Sequence, residues 1–148
     1  MGESRLSPDV EIRLHNYVET QIGLPFEFGV NDCPLFTLGA IDIMLDTKHR
    51  ADFTGKWKDQ KSAWKYAKLN GDIYEHLLKW NFKRVNIQYT QIGDIIIMAQ
   101  DLAHAKKWRS VALCMGSNIA IVTEDYGVQL LDIRAVPNVT GVVRWQSA

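Results

Sequence analysis

Cysteine is scarce in this chain: Cys33 and Cys114 are the only two among 148 residues. Two thiols cannot make a disulfide framework or a four-ligand zinc site, so both are expected to be free. Long hydrophobic runs are missing too. No stretch approaches the ~18 apolar residues of a membrane span, and the opening Met1-Gly2-Glu3-Ser4-Arg5-Leu6 lacks the apolar core of a signal peptide. The expectation is a protein made and folded in a host cytoplasm, with no membrane insertion. Charge of one sign is absent as well, since 17 basic and 17 acidic side chains cancel. With a pI near 6.9 there is no net field to hold the chain on nucleic acid or an anionic membrane. Neutrality also removes the repulsion that keeps concentrated proteins apart, which suits life inside an assembly. There is no Gly-rich phosphate loop, and the four histidines lack ligand spacing, so neither cofactor nor metal is expected. Repeats, low-complexity tracts and long linkers are lacking, and 47% hydrophobic residues suffice for one core. A single domain over 1–148 is expected.

What is present begins with helices. Ser7-Pro8-Asp9 supplies a cap, a first-turn proline and an early negative charge, and Val10, Leu14, Val18 and Ile22 then recur at helical spacing. This predicts a helix over about 8–22. An extended connector, Leu24 to Val30, leads to Asn31-Asp32-Cys33-Pro34, where capping residues and a proline open a second helix at or next to Cys33. Its apolar residues Leu35, Leu38, Ile41, Ile43 and Leu45 spread around the axis, as in a helix buried on more than one side. Residues 47–58 read as polar and irregular, and Ser62 to Leu69 and Ile73 to Trp80 as two short helices. The period then switches to two. Val85, Ile87 and Tyr89 alternate as a strand, and Gly93-Asp94 opens the continuous run Ile95 to Ala99 of a doubly covered strand. Further strands are expected at Val111 to Met115, Ile119 to Val122, Val128 to Ile133 and Val142 to Trp145, with Tyr126-Gly127 in a hairpin turn and Asp101 to Trp108 as a loop. Helices first and an antiparallel sheet second define an α+β fold.

Cys33 is the residue that carries potential chemistry. A thiol in a first helical turn lies beside unpaired N–H groups and the positive end of the dipole, an arrangement that stabilises thiolate and prepares a nucleophile. The other reading is a small buried apolar side chain, a common fate of free cysteine. Asp32 caps the helix or pairs with a nearby amide.

The segment Pro25-Phe26-Glu27-Phe28-Gly29-Val30-Asn31-Asp32-Cys33-Pro34-Leu35-Phe36, followed by Ala51-Asp52-Phe53-Thr54-Gly55-Lys56-Trp57, resembles a phage and prophage protein family related to NlpC-type, papain-like cysteine peptidases. The resemblance runs from the first helix to Arg144-Trp145, and its most specific piece joins the approach to Asp32-Cys33 with Gly93-Asp94. It implies a papain-like fold in which Cys33 holds the nucleophile position. It also implies a place at a phage tail tip or hub, with other tail proteins as partners, or peptidoglycan as a substrate. Such peptidases carry histidine at the start of the strand after the Gly-Asp strand, and the matching residue here is Ser110. A hydroxyl cannot hold a proton near neutral pH as imidazole does. His104, in the adjacent loop, is the one available substitute base. His15, His49 and His76 read as structural. Ser110, Ala112 and Cys114 share a strand face, with Cys114 roughly 13 Å farther along and in the core.

Lys56, Lys58, Lys61, Lys65 and Lys68 interleave with Trp57, Trp64 and Tyr66. The mixture fits docking on a protein partner, or a solvated helix face, better than nucleic-acid binding in a neutral chain. Three functions are therefore weighed: a tail structural or assembly protein with an incomplete dyad that acts by protein binding; an active cell-wall peptidase or amidase using Cys33; and a cytosolic assembly chaperone that is not retained in the virion.

Overall fold

The computed structural model describes residues 6–102, 105–136 and 138–147. Five helices precede the sheet: α1 (Pro8–Gln21), α2 (Cys33–Leu45), α3 (His49–Phe53), α4 (Gln60–Asn70) and α5 (Ile73–Lys79). Six strands follow, β1 (Phe82–Val85), β2 (Ile95–Leu102), β3 (Ala105–Cys114), β4 (Asn118–Thr123), β5 (Gly127–Asp132) and β6 (Val139–Trp145). They form one sheet in the order β1-β6-β2-β3-β4-β5, every pair antiparallel. The fold is α+β, with helices packed on a six-stranded antiparallel sheet and Cys33 as the first residue of α2.

Local chemistry accounts for most boundaries. Ser7 accepts from Val10 N–H to start α1, and Asp32, Asp59 and Asp72 cap α2, α4 and α5 in the same way. The segment 47–58, expected to be irregular, contains α3. Its cap is not local: the Asp42 carboxylate on α2 accepts from the backbone N–H of both His49 and Arg50. The expected strand through Val85, Ile87 and Tyr89 is also corrected. β1 ends at Val85, and Asn86 caps a 3-10 turn over Ile87–Tyr89, which leaves Ile87 and Tyr89 exposed. The loop expected over 101–108 is largely strand, because β2 and β3 extend to Leu102 and from Ala105.

Both sheet faces are buried. Ile95, Ile97, Val111, Leu113, Ala120, Val122 and Val143 join Leu14, Val18, Leu35, Phe36, Leu38 and Ile41 of the helices in one core. Ile96, Met98, Ala112, Cys114, Ile119, Ile121 and Val142 form a second on the opposite face. Val85 of β1 and Leu131 of β5, from opposite edges of the sheet, both pack on that second core, which spans the width of the sheet. Each fully buried aliphatic contributes about 1.5–3 kcal/mol, so these two clusters dominate the stability. The continuous apolar run of β2 reflects this double burial.

One buried ion pair fixes the entry to β2. Arg144 Nε donates to Asp94 Oδ1 at 2.8 Å and Nη2 to Oδ2 at 2.9 Å, with both side chains almost wholly enclosed. Arg144→Met would leave Asp94 charged and enclosed. The expected loss in urea denaturation is about 3–5 kcal/mol, well above that of the double replacement of Asp94 and Arg144 by apolar residues of similar volume.

Candidate functional site

The approach to Cys33 is a tight loop. Glu27 and Asn31 exchange backbone hydrogen bonds of 2.9 and 2.8 Å, and Gly29 sits at φ +77°, where a Cβ would fall 1.9 Å from the Trp57 carbonyl oxygen. Only glycine fits there. Asp32, 2% exposed, ties this loop together. Its Oδ2 accepts from Gly29 N–H at 2.9 Å and Trp57 Nε1–H at 2.7 Å, and its Oδ1 accepts from Leu35 N–H at 3.1 Å. Asp32 is thus both the helix cap and the anchor for Trp57.

Cys33 is half-buried, and its Sγ donates to the Val122 carbonyl oxygen at 3.1 Å. That carbonyl is open for a physical reason. The β3–β4 register comprises Leu113↔Ala120 and Cys114↔Ile119, so the strands part before Val122 and the thiol takes the place of a ladder donor. Burial works against the helix-mouth preference for thiolate. From an ordinary value of 9.0, burial pushes the Cys33 thiol up to about 12; the Asp32 charge pushes the same way, and Glu124 adds a smaller push. A helix dipole is worth at most ~2 kcal/mol, whereas desolvation of a buried group can exceed that several-fold.

The thiol opens on a cavity of about 940 Å3 between the helical layer and the sheet. Of the residues singled out in the sequence, Cys33, Asp32, Ser110, Trp57, Trp64 and Tyr66 all line it. Ser110 is 4% exposed, and its hydroxyl has no hydrogen-bond partner among the described residues. Alternation sets Ser110 with Ala112 and Cys114, while its neighbour Arg109 reaches α5: Nε lies 2.6 Å from Asp72 Oδ2 and Nη2 3.5 Å from Glu75 Oε1. Trp57 is buried with its indole committed to Asp32, and it packs at 5.3 Å from Tyr66. Lys68 Nζ stands 4.5 Å from the Trp64 ring centroid. Cys114 is buried in the second core, and both cysteines are free.

His104 lies outside the described residues. His15 is exposed on α1, and His49 stacks on Trp80 at 3.8 Å. His76 packs between Phe53 and Trp80, and its Nε2 lacks a partner among the described residues. None of these three hydrogen-bonds the Cys33 thiol, whose bond goes to Val122. Arg109 and Glu124 line the cavity without having been singled out from the sequence, and His76, read there as structural, lines it as well. Pleat alternation next to Ser110 could have pointed to Arg109. Glu124, in the turn after β4, had no sequence signal.

Comparison with known proteins agrees with this geometry. The chain is similar in structure to an NlpC/P60 family protein from Bacillus cereus, with a TM-score of 0.60 and 18% identity over 93% of this chain and 40% of that one. It is also similar to a protein described as similar to lipoprotein, NLP/P60 family, from Staphylococcus aureus, with a TM-score of 0.60 and 15% identity over 100% of this chain and 45% of that one. The chain spans less than half the length of either, and at these identities the likeness is one of fold. No curated protein matches the sequence.

Two outcomes follow from the thiol and its anchor. Because the unfolded chain releases the Cys33 proton at lower pH than the folded one, its stabilising contribution is full below pH 9 and is lost as pH rises towards 12. In a Cys114→Ala background, iodoacetamide labelling of Cys33 should therefore keep accelerating above pH 9, with no plateau near neutrality. Trp57→Phe, which leaves Asp32 Oδ2 short of one donor, should cost about 1.5–3 kcal/mol in chemical denaturation.

Residues 5–139 match the family described as Domain of unknown function (DUF6950), and the chain belongs to that family.

Proposed function

We propose that this chain is a phage tail protein, of the tail tip or hub, that uses an NlpC/P60-type domain to bind another tail component and not to cut peptides. The observation that carries the reading is the setting of Cys33: its thiol is engaged with the Val122 carbonyl, and burial and the adjacent Asp32 push its pKa up. A cysteine nucleophile needs thiolate, and a base to generate it. Here burial and carboxylate charge oppose thiolate, and Ser110 at the expected base position cannot take the proton. The binding half of the reading is supported by Trp57, Trp64 and Tyr66, which share one cavity with the cysteine. The tail assignment rests on the sequence resemblance around Asp32-Cys33 and Gly93-Asp94.

A second reading, an active cell-wall peptidase or amidase, is favoured by one observation: Cys33 heads a helix at the edge of a cavity large enough for a peptide. Incubation of the purified protein with muropeptides separates the two. The expected result is no product from the wild type or from Cys33→Ala, whereas cleavage by the wild type that Cys33→Ala abolishes would establish the peptidase. Mass spectrometry of purified virions should find the protein in the particle at a fixed ratio to other tail proteins. Recovery only from the unassembled lysate would indicate the chaperone.

A further inference from the structure

The charges around the cavity are unevenly committed. Asp32 serves three N–H donors, Arg109 engages Asp72 and Glu75, and Lys68 sits over the Trp64 ring. Glu124 is different. It is exposed at the turn after β4, lines the cavity close enough to act on the Cys33 thiol, and has no cationic partner among the described residues. The uncommitted charge of the cavity is therefore a carboxylate. Size sets the second constraint. About 940 Å3 far exceeds one side chain and falls in the range of pockets that enclose a ligand of several residues' bulk. The half-buried rings of Trp64 and Tyr66 offer apolar area for the segment's side chains.

Building on the reading of this cavity as a partner-binding cleft, we propose that it receives a segment of a partner protein that carries a lysine or arginine, with the cation seated against Glu124. The Cys33 thiol stays neutral in this arrangement and leaves the cation to Glu124.

Selection from a ribosome-displayed library of random octapeptides against the immobilised full chain tests this. The selected peptides should carry lysine or arginine at one fixed position, enriched about tenfold over the input, and the enrichment should vanish with Glu124→Gln. Binding of a selected peptide, followed by tryptophan fluorescence, should weaken about tenfold with Glu124→Gln. Glu124 is an exposed turn residue, so its variant should fold as the wild type does. Selected peptides without a basic position, or with binding indifferent to Glu124→Gln, would overturn this inference and leave the binding-module reading standing. Cleavage of bound peptides that Cys33→Ala abolishes would instead overturn the binding-module reading. Enrichment of no peptide, together with saturable binding of muropeptides, would overturn both.

Discussion

The site depends on one buried carboxylate. Asp32 accepts from Gly29, Leu35 and Trp57 at once, and each bond fixes a different part of the molecule. The Leu35 bond starts α2 and so sets where Cys33 points. The Gly29 bond holds the preceding loop in a conformation only glycine can adopt. The Trp57 bond brings in a segment two dozen residues downstream and makes its ring a wall of the cavity. A charged group this enclosed is tolerable because three N–H donors replace its hydration. Removing any donor affects cap, loop and wall together, since all share two oxygens.

The same carboxylate bears on the chemistry of its neighbour. A helix N-terminus favours thiolate, and that argument holds for an exposed cysteine with a cationic or imidazole neighbour. At Cys33 burial and the adjacent negative charge act against the dipole and win, which drives the thiol up to about 12. Position at a helix mouth thus sets geometry without setting charge state. Tyr17 shows the same dominance: burial raises its hydroxyl to about 12 although Arg50 pulls the other way. That hydroxyl serves as a donor to the Phe36 carbonyl oxygen at 2.7 Å, which ties α1 to the second turn of α2.

Features written in adjacent residues could be read from the sequence. The Asp32-Cys33-Pro34 start of α2, the cap of α1, the apolar run of β2 and the turn at Tyr126-Gly127 all use signals within a few positions of each other. The failures share a cause. α3 is capped by Asp42 from another helix, so nothing around Lys48 announced it. Ile87 and Tyr89 alternate like a strand, but the Asn86 cap ends the pairing first and the pattern never meets a core. The outer halves of β2 and β3 are strand because each pairs with the other, whereas their polar residues carry no periodic signal. At the site, the clustering of Trp57, Trp64 and Tyr66 with Cys33 could be guessed from their residue types but not placed. The thiol's bond to Val122, 89 residues away, could not be read at all.

That last bond changes what the cysteine means. When β3 and β4 part after Ala120, Val122 keeps its pairing with Val128 of β5 but has no partner on β3, and a buried carbonyl left without a donor costs roughly 1–3 kcal/mol. The Cys33 thiol supplies the donor from the helical layer and joins α2 to the sheet at the point where the sheet opens into the cavity. A donor in that position must stay protonated, which is the opposite of what a nucleophile needs. Structural use of the sulfur and catalytic use of it therefore compete for the same proton. Forming thiolate at the head of α2 would forfeit the bond to Val122 as well as the solvation that burial already withholds.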